Sequence, residues 1–137
     1  LDSNKGTMSW MAPELLTGRY QHNSKTDVYA LAMTLYEIAF GVRPFASIPQ
    51  DVIPNIVGRG QRPTLDLADY NGDVQQELFP GTMPPQALIA LIGECWDQDR
   101  DKRPDIDVIV DRVEAMKTDE CAARAFMLRL LDSRDQL

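Results

Sequence analysis

Ser24-Lys25-Thr26-Asp27-Val28-Tyr29-Ala30-Leu31-Ala32-Met33-Thr34-Leu35-Tyr36-Glu37-Ile38-Ala39-Phe40, closed by Gly41, is the stretch on which the fold turns. Ser24 and Asp27 have the spacing of a capping box, the hydroxyl accepting from one amide while the carboxylate reaches back to another. Eleven of the next thirteen residues are apolar, and they cover nearly every face of the helix they imply. Such a helix needs protein around it. Gly41 and Pro44 stop it. An all-round apolar post predicts a helical domain packed about it.

Moving outward, Pro49 suits the start of a short helix over 49–57, although Pro54 weakens its interior. Gly58 and Gly60 end it. Residues 61–83, with Pro63, Asp66, Asp69, Asn71, Gly72, Asp73, Pro80 and Gly81, read as a long loop. A helix over 85–96 carries Leu88, Leu91, Ile92 and Cys95 on one face. Asp105 can cap another over 106–117, where Ile106, Ile109, Val110, Val113 and Met116 form one stripe. Ala123, Phe126, Met127, Leu130 and Leu131 give an amphipathic tail. No segment alternates like a strand, so the expected fold is mostly α.

The 137 residues fit one domain, 44% hydrophobic and 26% charged, which excludes wholesale disorder. The net charge is −7. Residues 1–65 carry +1 and residues 66–137 carry −8, so a nucleic-acid partner is not expected and the acidic half reads as a solvated surface. Cys95 and Cys121 cannot build a disulfide framework, and they suit a reducing, cytoplasmic setting. The apolar run Val28–Phe40 falls short of the roughly 18 residues of a membrane span. Leu1-Asp2-Ser3-Asn4-Lys5 is polar, with no signal-peptide pattern and no initiator Met, as expected of a piece cut from something longer.

Common chemical constellations are missing. His22 is the single histidine and lies in a polar loop, which rules out most His-based metal sites and any relay that needs two His; it reads as a surface residue, with a lone base as the alternative. There is no Gly-x-Ser-x-Gly elbow, no Walker A loop and no Gly-x-Gly-x-x-Gly turn. Asp97, Asp99 and Asp101 read as an exposed mixed-charge loop. From these residues alone no catalytic group and no metal site is expected.

A more specific signal is Gly6-Thr7-Met8-Ser9-Trp10-Met11-Ala12-Pro13-Glu14. It resembles the end of the activation segment of eukaryotic protein kinases, whose signature includes Ala-Pro-Glu. Further marks follow in that family's order. Asp27-Val28-Tyr29-Ala30-Leu31-Ala32 is similar to the F-helix pattern, and Gly41-Val42-Arg43-Pro44-Phe45 to its continuation. Gly60-Gln61-Arg62-Pro63 resembles the segment after the G-helix. Cys95-Trp96 and Lys102-Arg103-Pro104 resemble marks between the H- and I-helices. The wording Trp10-Met11-Ala12-Pro13-Glu14 with Gly6-Thr7 is most similar to the tyrosine-kinase-like group of serine/threonine kinases. The resemblance covers about residues 6–116. It implies the C-terminal half of the kinase large lobe, an incomplete kinase-like fold over 1–116, with 117–137 as a helical tail.

The resemblance implies roles residue by residue. Thr7 would hydrogen-bond the catalytic Asp and shape the acceptor pocket; otherwise it is a plain loop Thr. Trp10 and Met11 would wall the pocket for the residue after the phosphoacceptor. Ala12, Pro13 and Glu14 form the structural motif, with Glu14 paired to Arg103. Asp27 would accept amides of the catalytic loop. Ser3 is a possible phosphosite. The implied partner is a protein substrate. ATP and Mg²⁺ are implied for the complete domain and none for this fragment, because the Gly-rich loop, the strand Lys, the His-Arg-Asp loop and the Asp-Phe-Gly site appear nowhere in the sequence. The family's wording is also broken by Ala32 in place of Gly and Arg100 in place of Pro, and 61–83 looks expanded. The tail either packs on the lobe or meets a helical partner. The implied activity is phosphorylation of protein Ser or Thr in signal transduction. The alternative is a non-catalytic kinase-like module or pseudokinase scaffold.

Overall fold

Asn23 begins the central helix, one residue before Ser24. A computed structural model describes residues 8–70 and 83–118, with Asp132. The expectations for Ser3, Thr7 and the tail helix therefore lie outside the described residues. Asn23 Oδ1 accepts the amides of Lys25 and Thr26, each at 2.9 Å, and Thr26 Oγ1 accepts the Asn23 amide at 2.9 Å. The capping box is thus Asn23–Thr26, not Ser24–Asp27. Both pairs fit the sequence rule, but an Asx side chain reaches two orphan amides at once.

Among the described residues the α-helices follow in order as α1 (Pro13–Leu16), α2 (Ser24–Phe40), α3 (Ile53–Gly58), α4 (Gln86–Cys95) and α5 (Ile106–Thr118). Short 3₁₀ turns cover Met8–Trp10, Leu67–Tyr70 and Arg100–Lys102. No strand occurs among the described residues, as a mostly-α chain requires. Helix α2 ends where the sequence says. Gly41 has φ 69°, a left-handed conformation that glycine adopts without steric cost, and its amide closes on Glu37 O at 2.8 Å.

Helix α3 is shorter than 49–57 and starts later. A turn from Pro49 O to the Val52 amide precedes it, and Pro54 falls in its first turn, where a missing N–H breaks no helix bond. Helix α4 matches its expected span to within a residue at each end. The α5 stripe divides. Ile109 is buried and Val113 and Met116 are half-buried, but Ile106 and Val110 are about half exposed. Periodicity marks a face; it does not say how far a neighbour covers it. The 61–83 region is not wholly loop, since it contains the turn at Leu67–Tyr70.

The core gathers on α2. Tyr29, Ala32, Met33, Ala39 and Phe40 have no exposed area. Tyr36 stacks on Phe40 with centroids 4.8 Å apart and tilts against Trp96 at 6.0 Å. Helix α4 packs along α2 through Leu88, Leu91, Ile92 and Cys95, and α5 backs onto α4. Ala32 sits fully buried, so the core accommodates its methyl. Phe45 is buried with φ 56°, a backbone state that costs a bulky residue roughly 1–2 kcal/mol.

The post is not enclosed on every side. Asp27, Leu31, Thr34, Leu35 and Ile38 follow the i, i+4, i+7, i+8, i+11 spacing of one helix face. Asp27, Thr34 and Ile38 are exposed and Leu31 and Leu35 only half-buried. Leu31 and Leu35 still pack partly against the core, so the described residues cover this face only in part.

Candidate functional site

Arg103 follows the 3₁₀ turn Arg100–Lys102 in an extended conformation, which aims its side chain inward beneath α1 and the start of α2. It is the largest fully buried side chain. Its guanidinium grips Glu14 with a fork, Nη1 to Oε1 at 2.7 Å and Nη2 to Oε2 at 3.0 Å. Nη1 also donates to Lys25 O at 2.9 Å, and Nε to Asp97 O at 2.9 Å. Four of the five donors are thereby placed. A buried charge is tolerated only when paired and hydrogen-bonded in this way.

Glu14 owes its place to Pro13, which starts α1 from the extended Ala12. One turn of helix then directs the carboxylate at Arg103. Burial alone would raise this carboxyl. The Arg103 hydrogen bonds and charge outweigh that, and Glu14 is held below the usual carboxylate range. The pair joins residues 89 apart in sequence. Lys25 closes the same corner, its Nζ bonded to Arg103 O and to Asp105 Oδ1 at 2.7 Å.

Two residues to which the sequence assigned no role complete the cluster. The Tyr29 ring meets two guanidiniums, with Arg103 Cζ 5.1 Å and Arg62 Cζ 5.2 Å from its centre. Burial pushes its hydroxyl up to about 12, and that hydroxyl has no hydrogen-bond partner among the described residues. Arg62 ties α3 to the end of α4: Nε donates to Trp96 O at 2.9 Å, Nη1 to Val57 O and Gln61 O, and Nη2 to Gln98 Oε1 at 2.7 Å. The signal for both was present. Tyr29 follows Asp27-Val28, and Arg62 precedes Pro63, inside motifs already singled out.

The remaining site residues are placed as follows. Trp10 and Met11 are half-buried at the edge of this cluster, and Trp10 packs against the core. Ala12 and Pro13 are buried. Asp27 is on the open face of α2, apart from the Glu14–Arg103 pair. Arg100 has its guanidinium 4.5 Å from the centre of the Tyr20 ring. Asp97 and Asp99 cap turns, accepting the amides of Asp99 and Asp101. Among the described residues no cluster of three or more His, Cys, Asp or Glu is placed to hold a metal ion. No helix among them is long and apolar enough to cross a membrane.

Comparison with known proteins brings a family match and relatives that are mostly named protein kinases. Residues 1–113 match the protein kinase domain. A probable serine/threonine-protein kinase, gdt4, of Dictyostelium discoideum is 34% identical over 116 residues, covering 85% of this chain and 6% of that protein. The serine/threonine/tyrosine-protein kinase HT1 of Arabidopsis thaliana is 32% identical over 126 residues, 91% of this chain and 28% of that protein. A receptor-type guanylate cyclase, Gyc76C, of Drosophila melanogaster is 30% identical over 111 residues, 79% of this chain and 7% of that protein. The chain thus spans less than a third of the length of these relatives.

Proposed function

Because this chain belongs to the protein kinase family, we propose that it is the substrate-facing and anchoring part of a serine/threonine kinase of the tyrosine-kinase-like group. Its parent would transfer the γ-phosphoryl group of ATP to a Ser or Thr hydroxyl of a protein, in cytoplasmic signalling. The sequence carries none of the family's ATP- and Mg²⁺-holding motifs, which leaves the residues present outside the transfer itself. Their work is positional. The observation that carries this reading is the Glu14–Arg103 fork. It fixes the segment bearing Trp10 and Met11 to the helices behind it, so that a wall for the acceptor peptide keeps its shape. Thr7, just before that segment, would meet the catalytic Asp, and Ser3 would take an activating phosphate. Asp27 stands on the open face of α2, ready for amides supplied by other parts of the domain.

The test is phosphoryl transfer from ATP–Mg²⁺ to Ser, Thr and Tyr peptides by the natural polypeptide that contains this chain. Transfer to Ser or Thr is expected, with Trp10→Ala raising the peptide KM more than it lowers kcat. Transfer confined to Tyr would refute the assignment. A second reading, a non-catalytic kinase-like module, is favoured by one observation: a guanylate cyclase stands among the relatives. It predicts no transfer to any acceptor.

A further inference from the structure

The end of α2, the chain that leaves it and helix α3 enclose a cleft of about 330 Å³, within the roughly 300–1,000 Å³ of small-molecule sites. Tyr36, Val42, Phe45, Ile48 and Ile56 supply its apolar lining. Phe45 takes its left-handed backbone here, which is how an aromatic ring comes to line both core and cleft. The charged groups of the lining are Arg43 and Arg62, and no carboxylate faces the cleft among the described residues. That is a local excess of two positive charges on a chain of net charge −7.

Arg43 is exposed and forms no ion pair among the described residues. Arg62 donates to three carbonyls and one side-chain amide oxygen, all neutral acceptors, and makes no direct ion pair among the described residues. Burial, foremost, lowers its pKa, while the nearby Tyr29, Asp97 and Glu14 act the other way. An apolar pocket with Arg43 unpaired at its mouth and Arg62 beside it complements one kind of small molecule. We propose that this cleft binds an amphipathic monocarboxylate, its alkyl or aryl body against Phe45, Ile48 and Ile56 and its carboxylate toward Arg43 and Arg62. The planar guanidinium suits a carboxylate better than a point charge would. The site does not depend on the kinase reading.

Isothermal titration of the full chain with sodium octanoate, and in parallel with 1-octanol, tests it. One saturable octanoate site is expected, with octanol roughly tenfold weaker because it brings no charge. Arg43→Gln, a surface change that leaves the core alone, should weaken octanoate roughly three- to fivefold and leave octanol unmoved. Octanol binding as tightly as octanoate, octanoate failing to saturate, or Arg43→Gln binding octanoate like the wild type would each overturn the proposal. The octanoate–octanol comparison needs no variant and so stands even if a substitution perturbs folding.

Discussion

Arg103 carries more of the structure than any other single side chain. It is fully buried and bonded to Glu14, Lys25 and Asp97 together. Arg103→Ala strands the Glu14 carboxylate and two backbone carbonyls, and should cost about 3–5 kcal/mol in urea unfolding. Arg103→Lys should recover little, because an ammonium cannot repeat the fork. Tyr29 makes the opposite case. Its hydroxyl is buried without a partner among the described residues while its ring contacts two guanidiniums. Tyr29→Phe should therefore be neutral or slightly stabilising, and Tyr29→Ala costly, by the same measurement. The Glu14 pKa is lowered on folding, so its contribution is present above the ordinary carboxylate value. It is lost as pH falls through the depressed folded value. Stability should decline in that acid window, and Glu14→Gln should flatten that part of the profile while lowering stability at neutral pH. Cys95 is buried with its thiol pushed up to about 11, chiefly by burial. Alkylation at neutral pH should modify it only after unfolding.

At the scale of the element, α2 was the most legible part of the chain. Its apolar run, its Gly41 stop and its central place follow from composition and period. Its first residue did not, because Asn23–Thr26 and Ser24–Asp27 offer the same pattern one step apart and only geometry chooses. The choice is testable: Asn23→Ala should lower stability by about 1 kcal/mol, while Ser24→Ala should be close to neutral in urea unfolding. In α5 the stripe was readable but its covering was not, since Ile106 and Val110 depend on how far α4 reaches along it. The candidate site divides the same way. The meeting of Glu14 and Arg103 was expressible only through resemblance, as nothing local links residues 89 apart. The roles of Tyr29 and Arg62 come from stacking and carbonyl geometry, which no spacing rule records.

Taken together, the described residues form a core with one side less covered. Leu31, Leu35 and Ile38 lie along a single face of α2 beside Asp27; Leu31 and Leu35 are half-buried against the core and Ile38 is exposed. Fully burying a side chain of this kind contributes about 1.5–3 kcal/mol, so the open face marks where stability is still to be gained. It is also where a catalytic loop could dock, which ties the incomplete core to the missing chemistry: His-Arg-Asp and Asp-Phe-Gly are absent, and the matched relatives are several times longer. The measurement closest to this claim is peptide mapping by mass spectrometry of the natural polypeptide that carries this chain. The account predicts peptides upstream of Leu1 that contain an intact His-Arg-Asp loop and Asp-Phe-Gly motif. A natural polypeptide beginning near Leu1, or one in which those two motifs are altered, would contradict it.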